Sequence, residues 1–203
     1  MRSFFKLLAL LLVVLVVAVG AKTALTPSRQ LAVATVPASA VDAAAAAQRL
    51  GAAVRFKTLS TLDATQPAAA EFEGLHEHLK ASFPRVHGAL SREVVGGLTL
   101  VYTWPGSDAK APGIGLLAHQ DVAPIAPGTE PDWQQPPVSG AVTGGFVWGR
   151  GAWDDKANLM SMSEAIESLL AAGFRPRQTV YLVFGHDEEV GGPHGALEVA
   201  RLF

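Results

Sequence analysis

Cysteine is absent from the 203 residues. That excludes a disulfide framework, a thiolate nucleophile and a cysteine-ligated metal, so any bound metal must be held by histidine and carboxylate. Charge is also scarce: Asp, Glu, Lys and Arg make up 17% of the chain and the formal net charge is -2. Without a Lys/Arg stripe or a basic excess there is no electrostatic footprint for nucleic acid. No internal repeat of the 20–50-residue kind is visible, which excludes solenoid and propeller architectures. At 49% hydrophobic residues the chain can bury one core of fair size, yet it is too short for two full-sized domains.

What is present begins with a hydrophobic run. Arg2 and Lys6 flank Phe4 and Phe5, and residues 7–21 then carry no charge. The run approaches the ~17 residues that can just span a bilayer, and it is also long enough for a secretory signal. Ala18 and Gly20 would suit a cleavage site before Ala21. Residues 1–26 are therefore expected to be a membrane anchor or a signal peptide. Either leaves the remainder membrane-anchored with an extracytoplasmic domain, or secreted. Residues 26–39, polar and Pro-bearing, suit a juxtamembrane linker.

Beyond the linker, Asp42 is placed to N-cap a helix over 43–50, with Gly51 just past its end. Phe72, Leu75, Leu79 and Phe83 recur at helical spacing over 71–83, where Pro84 terminates the pattern. His76, His78 and His87 lie in or beside that helix and read as surface or internally satisfied histidines. Residues 98–104 and 114–118 are β-branched, aromatic or apolar runs bounded by turn residues, and predict strands. A Pro/Gly-rich stretch over 124–149 precedes a predicted helix at 156–172, a buried strand at 179–184 and a further helix from Gly195. Strand, helix, strand, helix in this order predicts an α/β sandwich with an at least partly parallel sheet.

Three polar clusters follow strands or open a helix. His119 and Asp121 leave the strand ending at Ala118, at the carboxyl edge where open α/β folds gather ligands. Residues i and i+2 point the same way, so Asp121 can bond the second ring nitrogen of His119 and fix its tautomer. A His-x-Asp triplet alone is also common without function. Asp154 and Asp155 stand at a helix entrance after Gly149 and Gly151, one carboxylate available to a site and the other to cap the helix. A well-capped helix would explain that pair equally. Asp187, Glu188 and Glu189 follow another strand, and such a run calls either for a compensating cation or for full solvation.

Together AHQDVAP (118–124), GRGAWDDK (149–156) and GHDEEVGG (185–192) resemble, in order and spacing, the N-terminal motifs of the co-catalytic zinc aminoacylase/carboxypeptidase family. The similarity points to the branch of carboxypeptidase S and the N-fatty-acyl-amino acid hydrolases. Trp133, Pro136, Pro137, Ser139 and Gly140, and Pro27 to Gln30, also look like that branch.

The resemblance implies a three-layer α/β sandwich with a partly parallel central sheet. It implies zinc, with cobalt or manganese also admitted by such ligands. His119 would bind one ion, Asp154 would bridge two and Glu189 would bind the other. Asp121 would orient His119, Glu188 would be the general base, and the Asp154–Asp155 peptide would be cis. His186 and His194 match no ligand position. The implied substrates are small peptides or N-acyl amino acids.

The family also needs a further carboxylate ligand, a late histidine and a lid and dimerisation domain, none of which has a counterpart up to Phe203. Residues 27–203 are thus expected to be the N-terminal part of a catalytic domain. Each zinc would then have two protein ligands here, a homodimer would need the additional domain, and an apolar face or strand edge would lie uncovered. Two readings follow: a metallohydrolase whose intact form cleaves amides, or a catalytically inactive, membrane-tethered metal-binding or interaction module.

Overall fold

The computed structural model describes residues 2–35, 41–60 and 68–203. It divides into two units, 1–40 and 41–203.

In the first unit, α1 (Arg2–Leu25) is a single helix of 24 residues with every side chain exposed and charges only at Arg2, Lys6 and Lys22. At 1.5 Å per residue it is ~36 Å long, enough to cross a ~30 Å hydrocarbon layer. The Thr26 hydroxyl closes its end by donating to the Lys22 carbonyl at 2.7 Å. Residues 27–35 are exposed and irregular, as a linker there requires; the linker's last residues, 36–39, lie outside the described residues.

The second unit opens with α2 (Ala43–Val54), capped by Asp42, whose Oδ1 accepts the Ala45 N–H at 3.0 Å. Contrary to expectation the helix does not stop before Gly51. A Cβ at Gly51 would stand 2.5 Å from the Gly140 carbonyl oxygen, so this glycine permits a close backbone approach rather than ending the helix. α3 (Ala69–Ser82) buries Phe72, Leu75 and Leu79. Pro84 ends it and also starts α4 (Pro84–Ala89), where a proline at the first position loses no hydrogen bond.

The sheet consists of β1 (Ser91–Val95), β2 (Thr99–Trp104), β3 (Ile114–His119) and β6 (Val180–Gly185), in the order β1-β2-β6-β3. β2 pairs antiparallel with β1 and β6, whereas β3 and β6 are parallel and joined through α5 (Lys156–Ala171). β1 was not foreseen. Most of its residues are exposed, so it carries little apolar signal, and Gly96 and Gly97 at positive φ make the turn into β2. The Pro/Gly-rich stretch holds a second unforeseen hairpin, β4 (Ala141–Thr143) and β5 (Phe146–Trp148), turning on Gly144 and Gly145.

Alternation along the strands sorts the core. Leu100, Tyr102 and Trp104 of β2, with Leu182 and Phe184 of β6, face α2 to α5 and meet Leu79, Phe83, Val86, Leu159 and Ile166. On the opposite face Val101 and Val183 pack with Val199 of α6 (Ala196–Ala200), while Leu117 is 69% exposed. The α/β class and the mixed, partly parallel sheet are as the sequence indicates. Because β3 and β6 run parallel and end in register, His119 opposite Gly185, the chain leaves both at one edge.

Candidate metal centre

Three segments meet at that edge. His119 closes β3, the Glu188–Val190 turn follows β6, and residues 149–155 lead into α5. Gly151 has φ +79°, and a Cβ there would collide with Val122, so only glycine lets the turn sit against the β3 exit.

His119 is held at both ring nitrogens. Nε2 is 2.9 Å from Asp154 Oδ1; Nδ1 is 3.2 Å from Asp121 Oδ1 and 3.0 Å from the Asp121 carbonyl oxygen. Asp121 is wholly buried, and its Oδ2 accepts the Glu189 N–H at 3.0 Å and the Ser60 hydroxyl at 2.6 Å. Burial disfavours the charged form of both residues, yet the contacts win. The hydrogen bond and charge of Asp121, with the Asp154 contact, lift His119 to about 9. Bonds from His119, Ser60 and the Glu189 backbone hold Asp121 below the usual carboxylate range.

His119, Asp154 and Glu189 each offer a ligand atom, and these atoms lie within 4.8 Å of one another. His119 is buried while the two carboxylates are exposed. Imidazole plus carboxylate oxygen is a donor set that zinc accepts at ~2.0–2.2 Å, and exposed carboxylates can swing to close on an ion. Glu188 stands beside them, with Oε2 3.8 Å from His119 Nε2 and its side chain 64% exposed. A cavity of about 310 Å³ opens next to these groups, lined by Thr99, Leu117, Val183 and Ala196 with His119 and Glu188.

The neighbouring aspartates have different tasks from those their positions suggest. Asp155 occupies the N-cap position of α5 but makes no capping bond. Its Oδ2 instead accepts the His119 N–H at 3.2 Å and its Oδ1 the Asn158 amide at 2.6 Å, tying β3 to the helix entrance. The Asp154–Asp155 peptide is cis, as the resemblance implies. Asp187 separates itself from the two glutamates by turning inward, where its carboxylate accepts the N–H groups of His194 and Gly195 at 2.7–3.1 Å.

Four of the five other histidines are bonded internally through their rings. His186 Nδ1 lies 2.7 Å from Thr99 Oγ1, His76 Nε2 is 2.6 Å from Gln120 Oε1, His78 Nε2 meets the Arg49 carbonyl, and His87 stands between the Phe83 carbonyl and Tyr102. Ser60 and Asp187 are site-supporting residues that sequence reasoning did not single out. Ser60 had no motif to mark it; Asp187 was hidden in a charge run.

Residues 115–202 match the description Peptidase family M20/M25/M40. The chain is 41% identical over 162 residues to the probable carboxypeptidase S-like 2 of Dictyostelium discoideum, covering 77% of this chain and 30% of that one. Residues 115–202 place that part of the chain in the M20/M25/M40 peptidase family. It is also similar to carboxypeptidase S of Saccharomyces cerevisiae, 43% identical over 64% of this chain and 23% of the relative. With the N-fatty-acyl-amino acid synthase/hydrolase PM20D1 of Mus musculus it shares 37% identity over 76% of its length and 30% of the relative's.

The chain spans about 30% or less of the length of these relatives. Among solved structures, human carnosine dipeptidase 1 aligns with a TM-score of 0.58 at 18% identity over 73% of this chain and 33% of that one. The metallo-carboxypeptidase Sso-CP2 of Sulfolobus solfataricus aligns with a TM-score of 0.56 at 23% identity over 72% and 31%. Both likenesses speak to the fold alone.

Proposed function

We propose that residues 27–203 form the N-terminal, metal-binding part of a metallohydrolase that cleaves the amide bond of N-acyl amino acids or the C-terminal peptide bond of small peptides. The observation that carries this reading is the convergence of His119, Asp154 and Glu189 within 4.8 Å, with Glu188 alongside. The names of the relatives, carboxypeptidases and N-fatty-acyl-amino acid hydrolases, support the substrate class.

In this scheme His119 and Glu189 would each hold a divalent cation, with Asp154 as the ligand they would share. Zinc suits the donors, and cobalt or manganese would also be accepted. When bound, the cations supply Lewis acidity to the carbonyl oxygen and acidity to a water. Glu188 takes the proton of that water as its oxygen bonds to the amide carbon, then delivers it to the amine nitrogen as the C–N bond breaks. Asp121 keeps a proton on Nδ1 of His119, leaving Nε2 for the metal side.

Further ligands and a lid and dimerisation domain would come from outside these residues. Residues 1–26 would anchor the protein in a membrane with the catalytic domain extracytoplasmic, or act as a cleaved signal for secretion. A second reading, an inactive membrane-tethered metal-binding module, is favoured by one feature. Among the described residues only these three ligands converge, so two cations sharing Asp154 would have two protein ligands each, where catalytic zinc usually has three.

Metal content and hydrolysis of a panel of N-acyl amino acids and short peptides decide between them. Bound zinc with turnover that falls ~10²–10⁴-fold in Glu188→Gln, metal content unchanged, establishes the enzyme reading. For these residues by themselves, bound metal without turnover establishes the module, whereas absence of metal uptake refutes the module and leaves hydrolysis to a longer chain.

A further inference from the structure

We propose that Ser60 is a positioning residue for the metal centre, its hydroxyl holding the Asp121 carboxylate in the orientation that serves His119 and Glu189 together. The inference rests on the reading of His119, Asp154 and Glu189 as cation ligands.

Asp121 divides its two oxygens between these residues. Oδ1 faces the His119 ring at 3.2 Å, and Oδ2 takes the Glu189 backbone N–H at 3.0 Å. Rotation of a carboxylate about its last torsion is broad and soft, so its partners, rather than a rotamer preference, decide which way the group faces. Among the described residues the shortest contact made by this carboxylate is the Ser60 hydroxyl, 2.6 Å from Oδ2.

Ser60 is itself delivered by a pinned segment. The Thr58 hydroxyl donates to the Gln120 carbonyl at 2.6 Å, the Val122 N–H donates to the Thr58 carbonyl at 2.9 Å, and Leu59 bridges Val122. The backbone is therefore gripped on both sides of Asp121. In an extended segment Thr58 and Ser60 point to the same side, and both hydroxyls are spent on the segment 120–121. Gln120 locks the other flank, its amide donating to the carbonyls of Leu98 and Phe184. Among the described residues Ser60 bonds to no ligand; it acts through Asp121, whose carboxylate is bonded to both His119 and Glu189.

The test uses the full chain in detergent, with Co²⁺ as the probe. Affinity is measured by chelator competition and geometry by the visible absorption bands; the metal-free His119 Nδ1 proton resonance gives a third readout. Ser60→Ala should weaken Co²⁺ binding ~10–100-fold, alter the visible bands and shift the His119 resonance. Ser60→Thr, which keeps the hydroxyl, should restore all three. Circular dichroism checks the fold. If Ser60→Ala does not fold, Ser60→Cys, close in size but a poor donor, carries the same expectation. A donor-deficient variant with wild-type affinity, bands and resonance overturns the inference and leaves the metal reading standing. Failure of the wild type to take up Co²⁺ overturns both.

Discussion

His119 Nε2 lies 2.9 Å from Asp154 Oδ1, though 35 positions separate the two residues in the chain. With Asp121 on the other ring nitrogen, the imidazole of the metal-free protein is protonated up to about pH 9. A cation entering between His119 and Asp154 must displace the Nε2 proton. Apparent affinity for Zn²⁺ or Co²⁺ is therefore expected to rise about tenfold per pH unit from pH 6 to 8 and to level off above 9. Calorimetry in two buffers of different ionisation enthalpy should register about one proton released. Affinity independent of pH over that range would remove His119 from the ligand set.

Lys156 supplies a contrasting pH dependence. It is fully buried, its amine donates to the carbonyls of Ala53 at 3.1 Å and Phe56 at 2.6 Å, and burial lowers its pKa to about 7. Between 7 and its unfolded value near 10.5 the folded state binds fewer protons than the unfolded, so this group adds stability as pH rises. His119 works the other way: its folded value is above the unfolded 6.5, so its contribution is full below 6.5 and is lost as pH climbs through 9. The metal-free protein should therefore gain thermal stability from pH 9 to 10.5. Lys156→Met should lose that gain and, by removing the donor to the Phe56 carbonyl just past α2, cost about 1–3 kcal/mol in denaturant unfolding at pH 9.

Gly51 sets helix propensity against packing. On propensity alone Gly51→Ala inside α2 would stabilise by about 1 kcal/mol. The added Cβ would stand 2.5 Å from the Gly140 carbonyl oxygen and 3.1 Å from Val142. The expected outcome is destabilisation by about 1–3 kcal/mol, read from the urea midpoint. A stabilised variant would mean that α2 and the β4–β5 hairpin do not pack this closely.

The N-terminal helix gives a cellular prediction. Deleting residues 2–25 should move the protein from the membrane fraction to the soluble fraction. If the full chain is already soluble and shortened at its N-terminus, the segment is a cleaved signal. If the full chain is soluble at full length, neither reading of α1 holds.

How much of this was legible beforehand depended on the range of each interaction. β3, β6 and α5 could be read because apolar alternation and helical spacing are written within a few residues, and because His119, Asp154, Glu188 and Glu189 sit at the ends of those elements. β1 escaped because Ser91, Arg92 and Glu93 form an exposed strand without apolar periodicity. Asp155 was misjudged because capping is the local option, whereas its carboxylate is taken up by the backbone of His119, 36 positions away.

By itself the sequence determined the α/β class, the order of the elements, the apolar N-terminal helix and the residue types available to hold a metal. Only the tertiary structure decided the partners: which oxygen of Asp121 meets His119, that Ser60 stands on the other, that Asp187 turns away from Glu188 and Glu189, and that Lys156 closes α2. The reason is physical. Propensity and periodicity act over one or two turns of chain, while a hydrogen bond spanning 61 positions between Ser60 and Asp121, or 103 between Ala53 and Lys156, exists only once the sheet and its helices have packed.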